Sequence, residues 1–74
     1  MRSDYLVKMA NEIAAFHDGS ASDPAAAVVD HIRRFWEPRM VSAFVAHLRA
    51  GGTGLAPTAR AAARMLGTQA ATGG

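Results

Sequence analysis

No cysteine occurs in the 74 residues, so neither a disulfide staple nor a thiol nucleophile is available to this chain. The same lack fits a reducing compartment. No apolar run approaches the roughly 20 residues a membrane-spanning helix needs. The N-terminus lacks the apolar core of a secretory signal, and a soluble, cytoplasmic protein without a membrane partner is expected. Charge of one sign is also scarce. Eight Lys and Arg against six Asp and Glu leave a net charge of +2, a weak electrostatic footprint for nucleic acid even with a pI near 9.9. Large side chains are few as well. Half of the residues are apolar, but 17 of them are Ala and only 20 are larger. A chain this short buries roughly 60% of its unfolded surface, and so thin a core is expected to lean on a partner for part of its stability.

What the chain does have is helical periodicity. Residues 4–17 place Leu6, Met9, Ala10, Ile13 and Phe16 on one stripe, with Ser3 or Asp4 as the cap. Asp18 to Ser22 reads as a loop. Asp23-Pro24 reads as an N-cap with proline at the first helical position, opening a second helix that runs to about Trp36. Val28, Val29, Ile32, Phe35 and Trp36 share its apolar face, while Asp30 and Arg34 fall nearly opposite as an i,i+4 pair. Pro38 interrupts the pattern, because it has no N–H and biases Glu37 away from helical geometry. A third helix over 39–50 buries Met40, Val41, Phe44, Val45 and Leu48 and stops at Gly51-Gly52. Thr53 to Ala56 reads as a flexible connector, and Pro57 starts a short fourth helix ending at Gly67, with a thin face of Ala59, Ala62, Ala63 and Leu66. The expected fold is therefore all-α. It is a small bundle of three main helices and a short fourth, one domain over 1–67 with a flexible, disordered tail over 68–74. Its core is expected to comprise Leu6, Ile13, Phe16, Val28, Ile32, Phe35, Met40, Phe44 and Leu48.

Chemistry is hard to find. His31 and His47 flank apolar stripes and could converge across the Pro38 corner, but no Asp or Glu completes an i,i+3 or i,i+4 ligand set with either on an inward face, and a metal site needs three or four ligands. His17 fits the end of the first helix, where an imidazolium can meet the last carbonyls. The serines lack a base and an orienting group. Gly51-Gly52-Thr53-Gly54 lacks the Lys-Ser/Thr and the preceding strand of a phosphate-binding loop. No catalytic, cofactor or metal site is expected, and the chain reads as a non-enzyme.

The distinctive segment is His31-Ile32-Arg33-Arg34-Phe35-Trp36-Glu37-Pro38-Arg39-Met40. It gathers the single Trp and three arginines around one proline. Trp and Arg are the residue types most enriched at protein–protein hot spots. A docking surface centred on this corner is expected from Arg33, Arg34, Trp36, Pro38 and Arg39, with His31 and Asn11 beside them. Arg34 is its sharpest member, since it points away from its own helix's apolar stripe. The alternative is a small helical nucleic-acid binder using Arg33, Arg34 and Arg39 on phosphates. The helix after the corner, however, offers only Ser42, His47 and Arg49 for reading bases.

This central segment resembles the signature of the delta subunit of NAD-dependent, molybdenum-containing formate dehydrogenases. Leu6 to Phe16 resembles that family's opening, and His47-Leu48, Gly51-Gly52, Gly54-Leu55 and Pro57 continue the likeness in order, over roughly residues 5–60. His17 and Val41 depart from it, standing where an aromatic and a basic residue are usual. The resemblance implies an accessory subunit in a cytoplasmic complex, bound to the catalytic molybdenum-bearing subunit and its diaphorase subunits. It implies that formate is oxidised at a bis-molybdopterin guanine dinucleotide centre and that electrons pass through iron–sulfur clusters to FMN and NAD. This cysteine-free chain is expected to hold none of those groups. Its implied role is complex stability, or cofactor insertion and maturation of the catalytic subunit.

Overall fold

Each of the chain's three prolines opens a helix. In a computed structural model, which describes the backbone of residues 2–73 and the side chains of residues 2–69, α1 spans Ser3–Asp18, α2 Pro24–Phe35, α3 Pro38–Arg49 and α4 Pro57–Gly73. Proline suits the first helical position because its missing N–H would have no intrahelical acceptor there. The expected all-α architecture is what the described residues show.

Asp23 caps α2 as its sequence predicts, its carboxylate accepting the Ala26 N–H at 3.2 Å. The start of α1 differs. Arg2 is the capping residue, no side chain caps the helix, and Asp4 lies within the first turn, where its charge favours the helix dipole and pairs with Arg2 at 3.2 Å. Between α2 and α3, Trp36 and Glu37 are both extended, Glu37 as the restriction imposed by Pro38 requires.

The core corrects the expectation in two places. Leu6, Val28, Ile32 and Phe44 are fully buried, but Phe16 is 74% and Phe35 71% exposed, while Ile13, Met40 and Leu48 are only partly buried against the core. The reason lies with alanine. Ala10 and Ala14 on α1 and Ala59, Ala62 and Ala63 on α4 are completely buried. The close approach of small residues centres the packed face on Leu6, Ala10 and Ala14 and pushes the bulkier flank of α1 outward. On α2 the packed face centres on Val28, Val29, Ile32 and Trp36, which leaves Phe35 beyond its edge.

Helix α4 is a larger element than its thin stripe suggested. It packs against all three other helices. Gly67, read from sequence as its stop, instead lies inside the helix, where a Cβ would stand 3.3 Å from Val45 Cγ1 on α3. The helical backbone continues to Gly73, through much of the segment read as a tail. Residue 74 lies outside the described residues.

Candidate docking surface

The Pro38 corner divides its residues between core and surface. Trp36 is 7% exposed and meets Phe44 edge-on, ring centroids 5.5 Å apart. It is thus a core side chain that fixes the corner rather than an exposed anchor, in contrast to its expected docking role. Pro38 opens α3 and is exposed, as is Arg39. Arg33 and Arg34 leave α2 about 100° apart and reach different surroundings. Arg33 lines a shallow depression with Val41, Leu66 and Gln69. Arg34 forms the expected pair with Asp30 at 3.1 Å, both ends exposed. Arg33 and Arg34 therefore do not act as one cluster.

His31 is half-buried and lies on the other flank of α2, its ring 4.8 Å from that of Phe35. With Glu12, Ile13, Phe16 and His17 it lines a surface groove of about 340 Å³ between α1 and α2. Phe16 and His17 meet edge-on at 5.1 Å. The exposed aromatic surface is thus on the α1–α2 side of the molecule, where sequence periodicity placed core.

Asn11 has a different task from the one expected. Its side-chain amide donates to the Gly54 carbonyl and its oxygen accepts the Ala56 N–H, both at 2.9 Å. It thereby clamps the α3–α4 loop onto α1. His47 closes the same loop from α3. Its Nε2 lies 2.8 Å from the Thr53 carbonyl, and because a carbonyl can only accept, Nε2 carries the proton. Arg60 holds the loop from α4, donating to the Gly51 and Gly52 carbonyls at 3.3 and 3.0 Å. Gly52 takes φ +66° beneath that guanidinium. The stretch read as a flexible connector is a loop pinned from three helices, and Asn11, His47 and Arg60 pin it. No local sequence pattern signals these contacts, which join residues far apart in the chain.

Among the described residues no group of three His, Asp or Glu could hold a metal ion, and no helix is long and apolar enough to cross a membrane. The described arrangement offers contact surface and a stiff loop.

Residues 5–63 match the family described as NADH-dependant formate dehydrogenase delta subunit FdsD. The chain belongs to that family. The match covers the helix α1 stripe, the Pro38 corner and the clamped loop, and it ends inside α4. No curated protein and no solved structure matches the chain.

Proposed function

We propose that this delta subunit is a non-catalytic accessory component of a cytoplasmic, NAD-dependent molybdenum formate dehydrogenase. It docks on the formate-oxidising subunit, stabilises the complex, and supports insertion of the molybdenum cofactor during maturation. Family membership carries the reading. The exposure of Tyr5, Phe16 and Phe35 on so small a chain supports it, because exposed apolar surface on a small soluble chain marks interaction sites.

An iron–sulfur cluster of such an enzyme does not fit this chain's residues. An iron–sulfur cluster needs thiolates and the sequence has none. In this reading the bis-molybdopterin guanine dinucleotide, the clusters and the FMN sit in the catalytic and diaphorase subunits. Phosphate binding draws less support, since Arg34 is engaged with Asp30 and Arg33 lies in a separate depression.

The test is to produce the larger subunits with and without this chain, then measure molybdenum content and formate-dependent NAD reduction. The reading predicts lower molybdenum occupancy or a less durable complex when the chain is missing. Equal occupancy, activity and lifetime in both preparations would contradict it.

A further inference from the structure

The two halves of the chain carry charge differently. All the Asp and Glu residues lie within residues 4–37, whereas residues 38–74 hold Arg39, Arg49, Arg60 and Arg64 with no Asp or Glu. The described ion pairs, Arg2 with Asp4 and Arg34 with Asp30, both belong to the first half. The fold then gathers the second half's charge on one side. Gly67 of α4 packs against Val45 of α3, and Arg60 reaches back to Gly51 and Gly52 at the end of α3, so the two helices run antiparallel. At 100° per residue, Arg49, Ser42, Ala46 and Arg39 follow Val45 around the solvent side of α3 over about 120°, and all four are exposed. Arg60 and Arg64 follow Gly67 around α4 within about 60°, toward the same side. Arg64 is exposed, and the Arg60 guanidinium rests on neutral carbonyls that leave its charge uncompensated. Asp18 meets α4 at Thr58, about 160° around the helix from Arg60. Glu37, the nearest acid to α3 in sequence, precedes that helix.

We propose that the outer face of the α3–α4 hairpin is a docking surface for a carboxylate-rich protein surface, met by Arg39, Arg49 and Arg64 with Arg60 behind them. The proposal rests on the accessory-subunit reading above and adds a surface and the charge of what it meets. Charge complementarity carries the assignment. Guanidinium groups gathered on one face without an intervening acid repel one another, and that repulsion turns into attraction when carboxylates are set opposite. Arginine's planar fork suits a carboxylate in particular, since it can donate two parallel hydrogen bonds to it. Arg39 and Arg49 lie ten residues apart, about 15 Å along α3, and the small side chains of Ser42 and Ala46 stand between them, leaving the partner room to approach. Nucleic acid suits the face less well. The large aromatic side chains left exposed among the described residues, Tyr5, Phe16 and Phe35, lie on α1 and α2, away from where they could stack bases. The acids of the first half also leave a net charge of only +2, which favours a local acidic patch over a long polyanion. A second copy is disfavoured too, because pairing this face about a two-fold axis sets arginine against arginine.

The test uses the tagged full-length chain co-produced with the other formate dehydrogenase subunits and captured at low and at high salt. Arg49→Gln/Arg64→Gln removes two charges from the face, and Arg2→Gln/Lys8→Gln removes two from the other half. Ala46→Glu instead adds an acid one turn from Arg49, leaving every arginine in place. Circular dichroism melts of the free chains accompany the capture. The proposal predicts that both face variants stay helical and melt within a few degrees of wild type, yet retain the other subunits about tenfold less well at low salt. The Arg2→Gln/Lys8→Gln chain should match wild type, and high salt should weaken wild-type retention by screening the exposed charges. Equal retention by the face variants would overturn the assignment while leaving the accessory role standing. An equal loss in the Arg2→Gln/Lys8→Gln chain would also overturn it, since net charge alone would then explain the effect. Face variants that lose their helicity would overturn it as well, because the face would then be holding the fold. A gel shift of a random DNA duplex that only the face variants lose, with subunit retention unchanged, would assign the face to nucleic acid instead. If the wild-type chain retains no subunit at either salt, the accessory reading itself falls and takes this surface with it.

Discussion

Asn11 shows how one polar side chain can decide a loop. With its two hydrogen bonds to Gly54 and Ala56, Asn11→Ala hands the exposed Gly54 carbonyl to water and leaves the half-buried Ala56 N–H without its partner, a cost of about 1 kcal/mol. For a domain of this length each kcal/mol lowers the melting temperature by roughly 4–8 °C, which a thermal scan will read. Gly52 offers a sharper contrast. At φ +66°, an added Cβ would lie 2.9 Å from Arg60 Nη1, so Gly52→Ala should lose about 1–2 kcal/mol through backbone strain and displacement of the guanidinium. Gly19 sits at φ −93° with open space around it. Gly19→Ala is expected to gain about 0.4–1 kcal/mol by restricting the unfolded chain. Parallel melts of the two variants should therefore move in opposite directions. Neither Asn11 nor Gly52 was legible as a fixed contact in the sequence, because their partners lie 43 and 8 residues away and no local pattern announces them.

Elements were far more legible than contacts. Apolar periodicity and the three prolines locate every helix, and Asp23 and Pro38 set boundaries that the structure keeps within a residue or two. What periodicity could not weigh was the packing of small residues. A stripe drawn through the largest side chains put Phe16 and Phe35 inside, whereas the packed faces follow Ala10 and Ala14 on α1 and Ala59, Ala62 and Ala63 on α4. The same weakness made α4 look short, although it touches every other helix. The geometry predicts a clear ranking of variants by denaturant unfolding. Phe44→Ala, at a fully buried position against Trp36, should cost about 3–5 kcal/mol. Ala14→Leu, which forces a larger side chain into a closed helix contact, should cost about 1–3 kcal/mol or more. Phe35→Ala should stay within about 0.5 kcal/mol. A large loss at Phe35 would mean that the exposed face takes part in the fold.

At the scale of the molecule, a core rich in alanine sets both stability and purpose. The radius of gyration of 11.0 Å is that of a folded chain of this length, yet five of the buried core residues are alanine and no disulfide or other covalent staple adds to them. The free chain is accordingly expected to melt at low temperature and to gain stability when its partner is present, as binding to the native state requires. A high, cooperative melt of the free chain, unmoved by the partner, would contradict that. The family and the all-α fold were readable from the corner segment and the helical periodicity. The surface offered to a partner was not, since Trp36 and Phe35 are adjacent in sequence and only the extended turn before Pro38 sends one ring inward and leaves the other outside. The central claim is that this chain is a resident component of a formate dehydrogenase. Native mass spectrometry of the enzyme purified through a tag on its formate-oxidising subunit tests that claim most directly. The account predicts an assembly that carries this 7.8 kDa chain and sheds it on gentle activation, whereas an active assembly whose mass leaves no room for the chain would contradict it.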